Sequence, residues 1–234
     1  MSFSSSFSAV VPAAGVGKRM QADRPKQYLL IQGKTVLEHT LEKLISHPHI
    51  QHIVVAVHPQ DPYFDELECS QAPWLSRVEG GKERADSVLN GLNYLASTFP
   101  DSDWVLVHDA ARPCIGYQDL DKLIALHSSG QGGILAAPVR DTMKRSTQND
   151  PSVVLQTVDR AGLWHALTPQ FFPLKALQKS LHEALAENVA ITDEASAMEW
   201  AGHKVQLVEG SDRNIKITRP DDLSLASFYL SQEI

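Results

Sequence analysis

Apolar residues along this chain come in short unbroken runs separated by longer stretches with helical spacing. The runs are SAVVPAA (8–14), HIVVAV (52–57), WVLVHDA (104–110), GGILAAPV (132–139) and KVQLVEG (204–210). Between them, TVLEHTLEKLISH (35–47), RADSVLNGLNYLAS (84–97), YQDLDKLIALHSS (117–129), LKALQKSLHEALAEN (174–188) and TDEASAMEWAG (192–202) read as helices. Strands that are continuously apolar rather than alternating are covered on both faces. Their alternation with helices predicts a doubly wound, mostly parallel α/β sheet of Rossmann-like type. Such sheets bind ligands beyond the carboxyl ends of their strands, so the residues that follow each run are the ones to inspect.

One segment breaks the alternation. RDTMKRSTQNDPSVVLQTVDR (140–160) reads as two short strands around the turn-forming QNDPS. A two-stranded ribbon is marginal in water and needs something to lean on. The expectation is a projecting β-arm over 139–160 that packs on a second subunit, within a single domain spanning 1–234; the plain alternative is an exposed hairpin.

Composition narrows the function. With 43% hydrophobic residues in 234, the chain can build one sizeable core. A net charge of −7 argues against a general nucleic-acid surface, so any phosphate pocket must be a local cluster of cations. Two cysteines, Cys69 and Cys114, give neither a disulfide framework nor a paired-cysteine metal spacing, and a reducing cytoplasm is expected. The first fifteen residues lack a basic start, and no apolar run is long enough to span a membrane.

The first apolar run opens into VVPAAGVGKRM. Pro12, Ala13, Ala14 and Gly15 are small enough for backbone N–H groups to approach a bound anion, and Gly17 permits a conformation other residues resist. No Gly-Lys-Ser/Thr follows, so this is not a Walker A loop, and Met20 stands where a dinucleotide fingerprint needs its third glycine. Lys18, Arg19, Arg24 and Lys26 add four cations, and Pro25 stiffens the chain just before Lys26. Taken alone, two glycines make an ordinary strand-to-helix turn. With the cations and PKQY, the string resembles the signature of nucleotidyltransferases that join a sugar or alcohol phosphate to a nucleoside triphosphate.

Three further strings carry candidate chemistry. VLVHDAARP (105–113) ends a strand at Asp109, a carboxylate suited to Mg²⁺ beside phosphates, with Arg112 three residues on; a lone Asp there otherwise serves as a turn or cap. EGGKERADSVLNGL (79–92) couples Gly80 and Gly81 to a helix that begins near Arg84, so that backbone groups and Ser87 face a base edge, or simply form a turn. DRNIKITRPDDL (212–223) reads as an alternating strand with Ile215 and Ile217 on one face and Lys216 on the other, ahead of a helix start at Thr218–Pro220. Lys216 is the third candidate catalytic cation after Arg19 and Lys26.

Together these strings, with GGILAAPVRDTMK, TVDRAGLWHALTPQ and ITDEASAMEW, closely resemble the 2-C-methyl-D-erythritol 4-phosphate cytidylyltransferase family of the non-mevalonate isoprenoid pathway, in order from about residue 9 to residue 230. The resemblance implies transfer of CMP from CTP to methylerythritol phosphate with Mg²⁺, by a homodimer whose β-arms cross. It puts Ala13, Ala14, Gly15, Gly81 and Ser87 at CTP, and Arg19 and Lys26 at its phosphates. It puts Asp109, Arg112, Thr168 and Lys216 around the acceptor, with Thr142 and Arg160 donated by the other subunit. Lys82 departs from the acidic residue often found at its place.

A cytidylyltransferase for another polyol phosphate, such as ribitol 5-phosphate, shares the triphosphate half and is the alternative. A dinucleotide-dependent oxidoreductase conflicts with the missing glycine, and a non-catalytic nucleotide-binding regulator has no use for so many cations.

Overall fold

The computed structural model describes residues 6–15, 20 and 23–232. Its elements are β1 (Phe7–Pro12), β2 (Leu30–Ile31), β3 (Lys34–Thr35), α1 (Val36–Ile45), β4 (Ile50–Val57), β5 (Leu75–Glu79), α2 (Arg84–Thr98), β6 (Trp104–Val107) and α3 (Tyr117–Ile124). There follow β7 (Gly133–Pro138), β8 (Met143–Ser146), β9 (Val154–Val158), β10 (Trp164–Pro173), α4 (Leu174–Ala186), α5 (Glu194–Trp200), β11 (Gln206–Glu209) and α6 (Pro220–Ser231). Seven strands form one sheet in the order β11-β7-β10-β6-β1-β4-β5. All neighbours run parallel except β10, which is antiparallel to both β6 and β7.

The unbroken apolar runs are explained by what lies on each side. In β1 and β4, Ala9, Val11, Ile53 and Val55 pack with Leu37, Leu41 and Leu44 of α1 and Leu120 and Leu123 of α3. Val10 and Val54 point the other way, against Val88, Leu92 and Leu95 of α2 and Leu177 and Leu181 of α4. Both sets are fully buried. Each such Val, Leu or Ile side chain contributes about 1.5–3 kcal/mol, so the pattern of the strands fixes the middle layer of the fold.

A third cluster closes the end of the sheet that bears the site. Ile31, Val36, Ala111, Cys114, Ile217 and Ala226 bring α6 and the segment before it against the turn after β6. That segment was expected to be a strand. It has no ladder partner: residues 212–213 form a turn, and 214–218 run without regular secondary structure. Its alternation survives, because the Ile217 N–H donates to the Ala111 carbonyl at 2.9 Å and Ile217 is wholly buried, leaving Lys216 on the opposite side. Asp222 then accepts from the Thr218 N–H, the Thr218 hydroxyl and the Arg219 N–H at 2.7–2.9 Å, which caps α6 behind Pro220.

Four strands were not foreseen, the two-residue β2 and β3 and the longer β5 and β10. β5 is an edge strand with only Leu75 and Val78 apolar, and β10 carries Pro169 in its middle. The register of β10 on β7 shifts between Ala166 and Gln170, so Leu167, Thr168 and Pro169 leave that ladder, with a cis bond at Thr168–Pro169. The expected ribbon is present as the separate antiparallel sheet β8–β9, paired from Met143–Val158 to Ser146–Val154.

Candidate active site

Two adjoining cavities, about 260 and 240 Å³, open at the carboxyl ends of the parallel strands and share Arg84, Asp109 and Lys216 in their walls. The larger is floored by the loop that leaves β1. The Ala13 N–H donates to the Ala56 carbonyl at 2.7 Å, and Gln27, almost fully buried, donates from Nε2 to the carbonyls of Ala13 and Gly15 at 2.6 and 3.1 Å. Gln27 therefore holds the loop open in the shape that Pro12, Ala13, Ala14 and Gly15 present to the cavity. Spacing alone gave no signal for this residue. Gly17 and Arg19 lie outside the described residues.

Beside the loop, the start of α2 supplies a second part of the wall. The Ser87 hydroxyl accepts from the Gly81 N–H at 3.0 Å and donates to the Glu83 carbonyl at 3.1 Å, so Gly81, Ser87 and Glu83 form one fixed turn on the cavity. A side chain at Gly81 would run into Asp86, and one at Gly80 into Ala14. Gly80 is not part of the cavity wall: its N–H is spent on the Val57 carbonyl at 2.7 Å, and it serves as the contact through which β5 packs on the loop. Of the Gly80 backbone expected to read a base, the N–H is therefore already engaged. Lys82 is exposed at the rim.

The cations converge from distant segments. Lys26 leaves the turn behind Pro25 and its Nζ donates to the Ile217 carbonyl at 2.7 Å, one residue from Lys216, and both lysines line the larger cavity. Lys216 Nζ lies 2.7 Å from Asp109 Oδ2, and Arg112 Nε lies 3.5 Å from the same oxygen. Arg84 Nε donates to Asp109 Oδ1 at 3.0 Å. Burial by itself would raise the Asp109 carboxyl, but Arg84, Lys216 and Arg112 together hold it well below the usual carboxylate range. Arg24 turns elsewhere, pairing with Asp23 and standing over the Tyr63 ring.

Asp109, expected at a metal, meets cations of its own chain in this structure. Both of its oxygens already carry cationic donors, and among the described residues no group of three His, Cys, Asp or Glu side chains is placed to hold an ion. Asp109 thus gathers three positive groups at one point.

In the second cavity, Thr168 and Arg112 are both buried. Arg112 donates to the Asn214 carbonyl at 2.6 Å, and Asn214 donates from Nδ2 to the Thr168 carbonyl at 2.7 Å, which staples the Lys216 segment to β10 and to the turn after β6. His108 behind them is fully buried, and burial pushes its imidazole down to about 4, so it is neutral. Its Nε2–H donates to the Arg112 carbonyl at 3.0 Å, leaving Nδ1 to accept from the Thr168 hydroxyl at 3.0 Å. Thr168 also accepts from the Asp109 N–H at 3.0 Å. Its hydroxyl proton is thereby engaged inside the protein, and His108 has no free nitrogen with which to remove a proton from a substrate.

Thr142 and Arg160 flank the ribbon, exposed, and line neither cavity of their own chain. Two residues at the centre were not singled out beforehand, Arg84 and Glu194. Glu194 is buried, and it takes Arg84 Nη1 and Nη2 at 2.6 and 3.1 Å. The available signal was an arginine at the first position of α2, where the helix dipole disfavours a cation unless a carboxylate answers it.

A loop of small residues, a glycine turn and lysines from opposite ends of the chain, all at the carboxyl edge of a largely parallel sheet, define a nucleotidyltransferase. The family model for IspD, 2-C-methyl-D-erythritol 4-phosphate cytidylyltransferase, matches residues 7–232. Enzymes of that name from Vibrio vulnificus (strain CMCP6) and Pseudoalteromonas atlantica are 61% identical over 229 residues and 58% identical over 234. These alignments cover 97% and 100% of this chain and 96% and 99% of the relatives. The crystal structure of the Francisella tularensis 2-C-methyl-D-erythritol 4-phosphate cytidylyltransferase superposes with a TM-score of 0.81 at 38% identity, covering 96% of this chain and all of that one. The chain belongs to the 2-C-methyl-D-erythritol 4-phosphate cytidylyltransferase family. Among the described residues no helix is long and apolar enough to cross a membrane.

Proposed function

We propose that this chain transfers CMP from CTP to 2-C-methyl-D-erythritol 4-phosphate, giving 4-diphosphocytidyl-2-C-methyl-D-erythritol and pyrophosphate for isoprenoid precursor synthesis in the cytoplasm. The observation that carries this reading is the meeting of Lys26 and Lys216 in the wall of the cavity that the Ala13–Gly15 loop also lines.

A phosphate oxygen of the acceptor attacks the α-phosphorus of CTP; the new P–O bond forms as the bond to the β-phosphate oxygen breaks, and the electron pair leaves with pyrophosphate. The attacking monoester is already largely dianionic at neutral pH, because its second pKa is about 6, so no general base is needed. That agrees with a neutral, fully engaged His108 beside the site. Catalysis then consists of aligning two polyanions and stabilising the charge that builds on the α-phosphate and the leaving group.

Backbone groups of Ala13, Ala14, Gly15 and Gly81 receive the nucleotide, with Ser87 fixing the turn. Lys26, Lys216 and Arg19 face the phosphates, and Arg112 and Thr168 shape the acceptor side. Mg²⁺, expected of this reaction class, would offset the charge of the triphosphate, with Asp109 as a carboxylate in the cavity wall that could face it. Thr142 and Arg160 reach the site of a second subunit in a homodimer. The exposed Val153, Val154 and Leu155 of the ribbon support that reading, being apolar residues that nothing in their own chain covers.

The test is pyrophosphate release with each of the four nucleoside triphosphates and methylerythritol phosphate, with ribitol 5-phosphate as the parallel acceptor. Turnover confined to CTP and methylerythritol phosphate is expected. Preference for ribitol 5-phosphate, or no release with any combination, would overturn the proposal.

A further inference from the structure

Arg84 stands in the wall of both cavities with Glu194 bound to it, yet neither is needed to bind a nucleotide or an acceptor in the reading above. Glu194 is the first residue of α5, with its side chain only 1% exposed. Both of its oxygens are taken by the terminal nitrogens of Arg84 at 2.6 and 3.1 Å. Arg84 is the first residue of α2, and its remaining direction, Nε, is directed at Asp109 Oδ1 at 3.0 Å. The other oxygen of Asp109 holds Lys216 Nζ at 2.7 Å. Four side chains from α5, α2, the end of β6 and the segment before α6 therefore stand in one ionic row, carboxylate and cation alternating.

Each link restricts the next. A guanidinium is planar and offers its N–H groups in fixed directions, so fastening two nitrogens on Glu194 dictates where the third points; a lysine ammonium has no such geometry. Asp109 cannot turn without leaving the Arg84 Nε–H without its acceptor in a largely buried wall, which is costly. The far end of the row is the ammonium of Lys216, one of the cations facing the phosphates in the proposed reaction.

We propose that Arg84 and Glu194 are positioning residues that set where Lys216 stands when the phosphates arrive, by locking Asp109 from behind. The inference rests on the cytidylyltransferase reading and adds to it a role for two residues outside the nucleotide and acceptor contacts. Without Glu194 the guanidinium is held at one point instead of two, Asp109 rotates, and Lys216 keeps its charge but loses its fixed place. A misplaced charge still attracts CTP, so the damage falls on turnover and not on nucleotide affinity.

The test is a double-mutant cycle of Glu194→Gln and Lys216→Met, read by single-turnover and steady-state kinetics with CTP and methylerythritol phosphate. Glu194→Gln is expected to lower kcat by about tenfold or more while the KM for CTP stays within about twofold. In the Lys216→Met enzyme the same change should cost almost nothing, because residues acting through one another are not additive. Arg84→Lys, which keeps the charge and loses the fork, should reproduce the loss seen with Glu194→Gln; it provides the same cycle should Glu194→Gln fold poorly, as judged by its thermal midpoint. Equal losses in the presence and absence of Lys216, with an active parent enzyme, would overturn the inference alone. A parent enzyme without turnover would instead remove the functional reading on which it stands.

Discussion

On one side of the larger cavity, Ala13, Ala14, Gly15 and Gly81 present backbone and no charge; on the other, a single carboxylate, Asp109, is met by Arg84, Arg112 and Lys216. The loop side is precise because it is tied from behind, by Gln27 on the carbonyls of Ala13 and Gly15 and by Ser87 on the Gly81 N–H. The charged side is precise because ions in a partly dry wall have few places to go. A base is distinguished by which donors and acceptors face it, which suits fixed backbone; a transferring phosphate is distinguished by charge that grows during reaction, which suits fixed cations. The contrast predicts that damage to the two walls will show in different kinetic constants.

The largest effect should come from the charged side. Lys26→Ala is expected to lower kcat by at least ~10²-fold in a steady-state pyrophosphate assay, the scale seen when one preorganised charge stabiliser is removed; a near-normal rate would erase the distinction between the walls. On the loop side, Gly81→Ala forces a methyl group against Asp86 and shifts the turn. A shift costing about 1–3 kcal/mol should raise the KM for CTP roughly tenfold, with kcat changed much less. A Gly81→Ala enzyme that loses kcat at constant KM would show that the turn serves the chemistry instead.

A subtler test asks whether the charged side is completed by a second chain. Equal mixing of Lys26→Ala and Arg160→Ala proteins, each nearly inactive, should restore roughly a quarter of the parent rate, since half of the pairs are mixed and each mixed pair has one intact site. No recovery, with subunit exchange demonstrated by mass spectrometry, would place Arg160 in its own chain's function. The smallest effect concerns His108. Its folded pKa, about 4, lies below the ordinary histidine value near 6.5, so the unfolded chain binds the proton more readily. The stability associated with a neutral His108 is present above about pH 6.5 and is lost as the pH falls towards about 4. Urea midpoints at pH 7 and pH 5 should differ in that direction, and less so in His108→Asn.

Much of this arrangement was legible in the order of residues. The strands β1, β6 and β7, and β4 from Ile53 on, declared themselves because burial on both faces leaves little room for polar residues. β5 was hidden because an edge strand needs only Leu75 and Val78 inside, and β10 because a proline in a bulged stretch reads as a break. Lys216 was correctly set opposite Ile215 and Ile217, although the backbone that does so has no ladder; side-chain alternation reports local geometry and not pairing. Asp109 was recognised as central, but the side chains that meet it were not all foreseen. A carboxylate at a strand end suits a metal and an arginine equally well, and the arginine that meets it here, Arg84, is 25 residues away in the chain. Glu194 is farther still, and only the fold brings it near.

The larger cavity carries Lys26, Lys82, Arg84 and Lys216 against Glu83 and Asp109, in a chain whose overall charge is −7. To a triphosphate diffusing nearby, most of the molecule is repellent and one hollow is not, so the field selects the direction of approach before any contact is made. Added salt, which shortens the reach of that field, should therefore slow the capture of CTP more than it slows the reaction of CTP already bound.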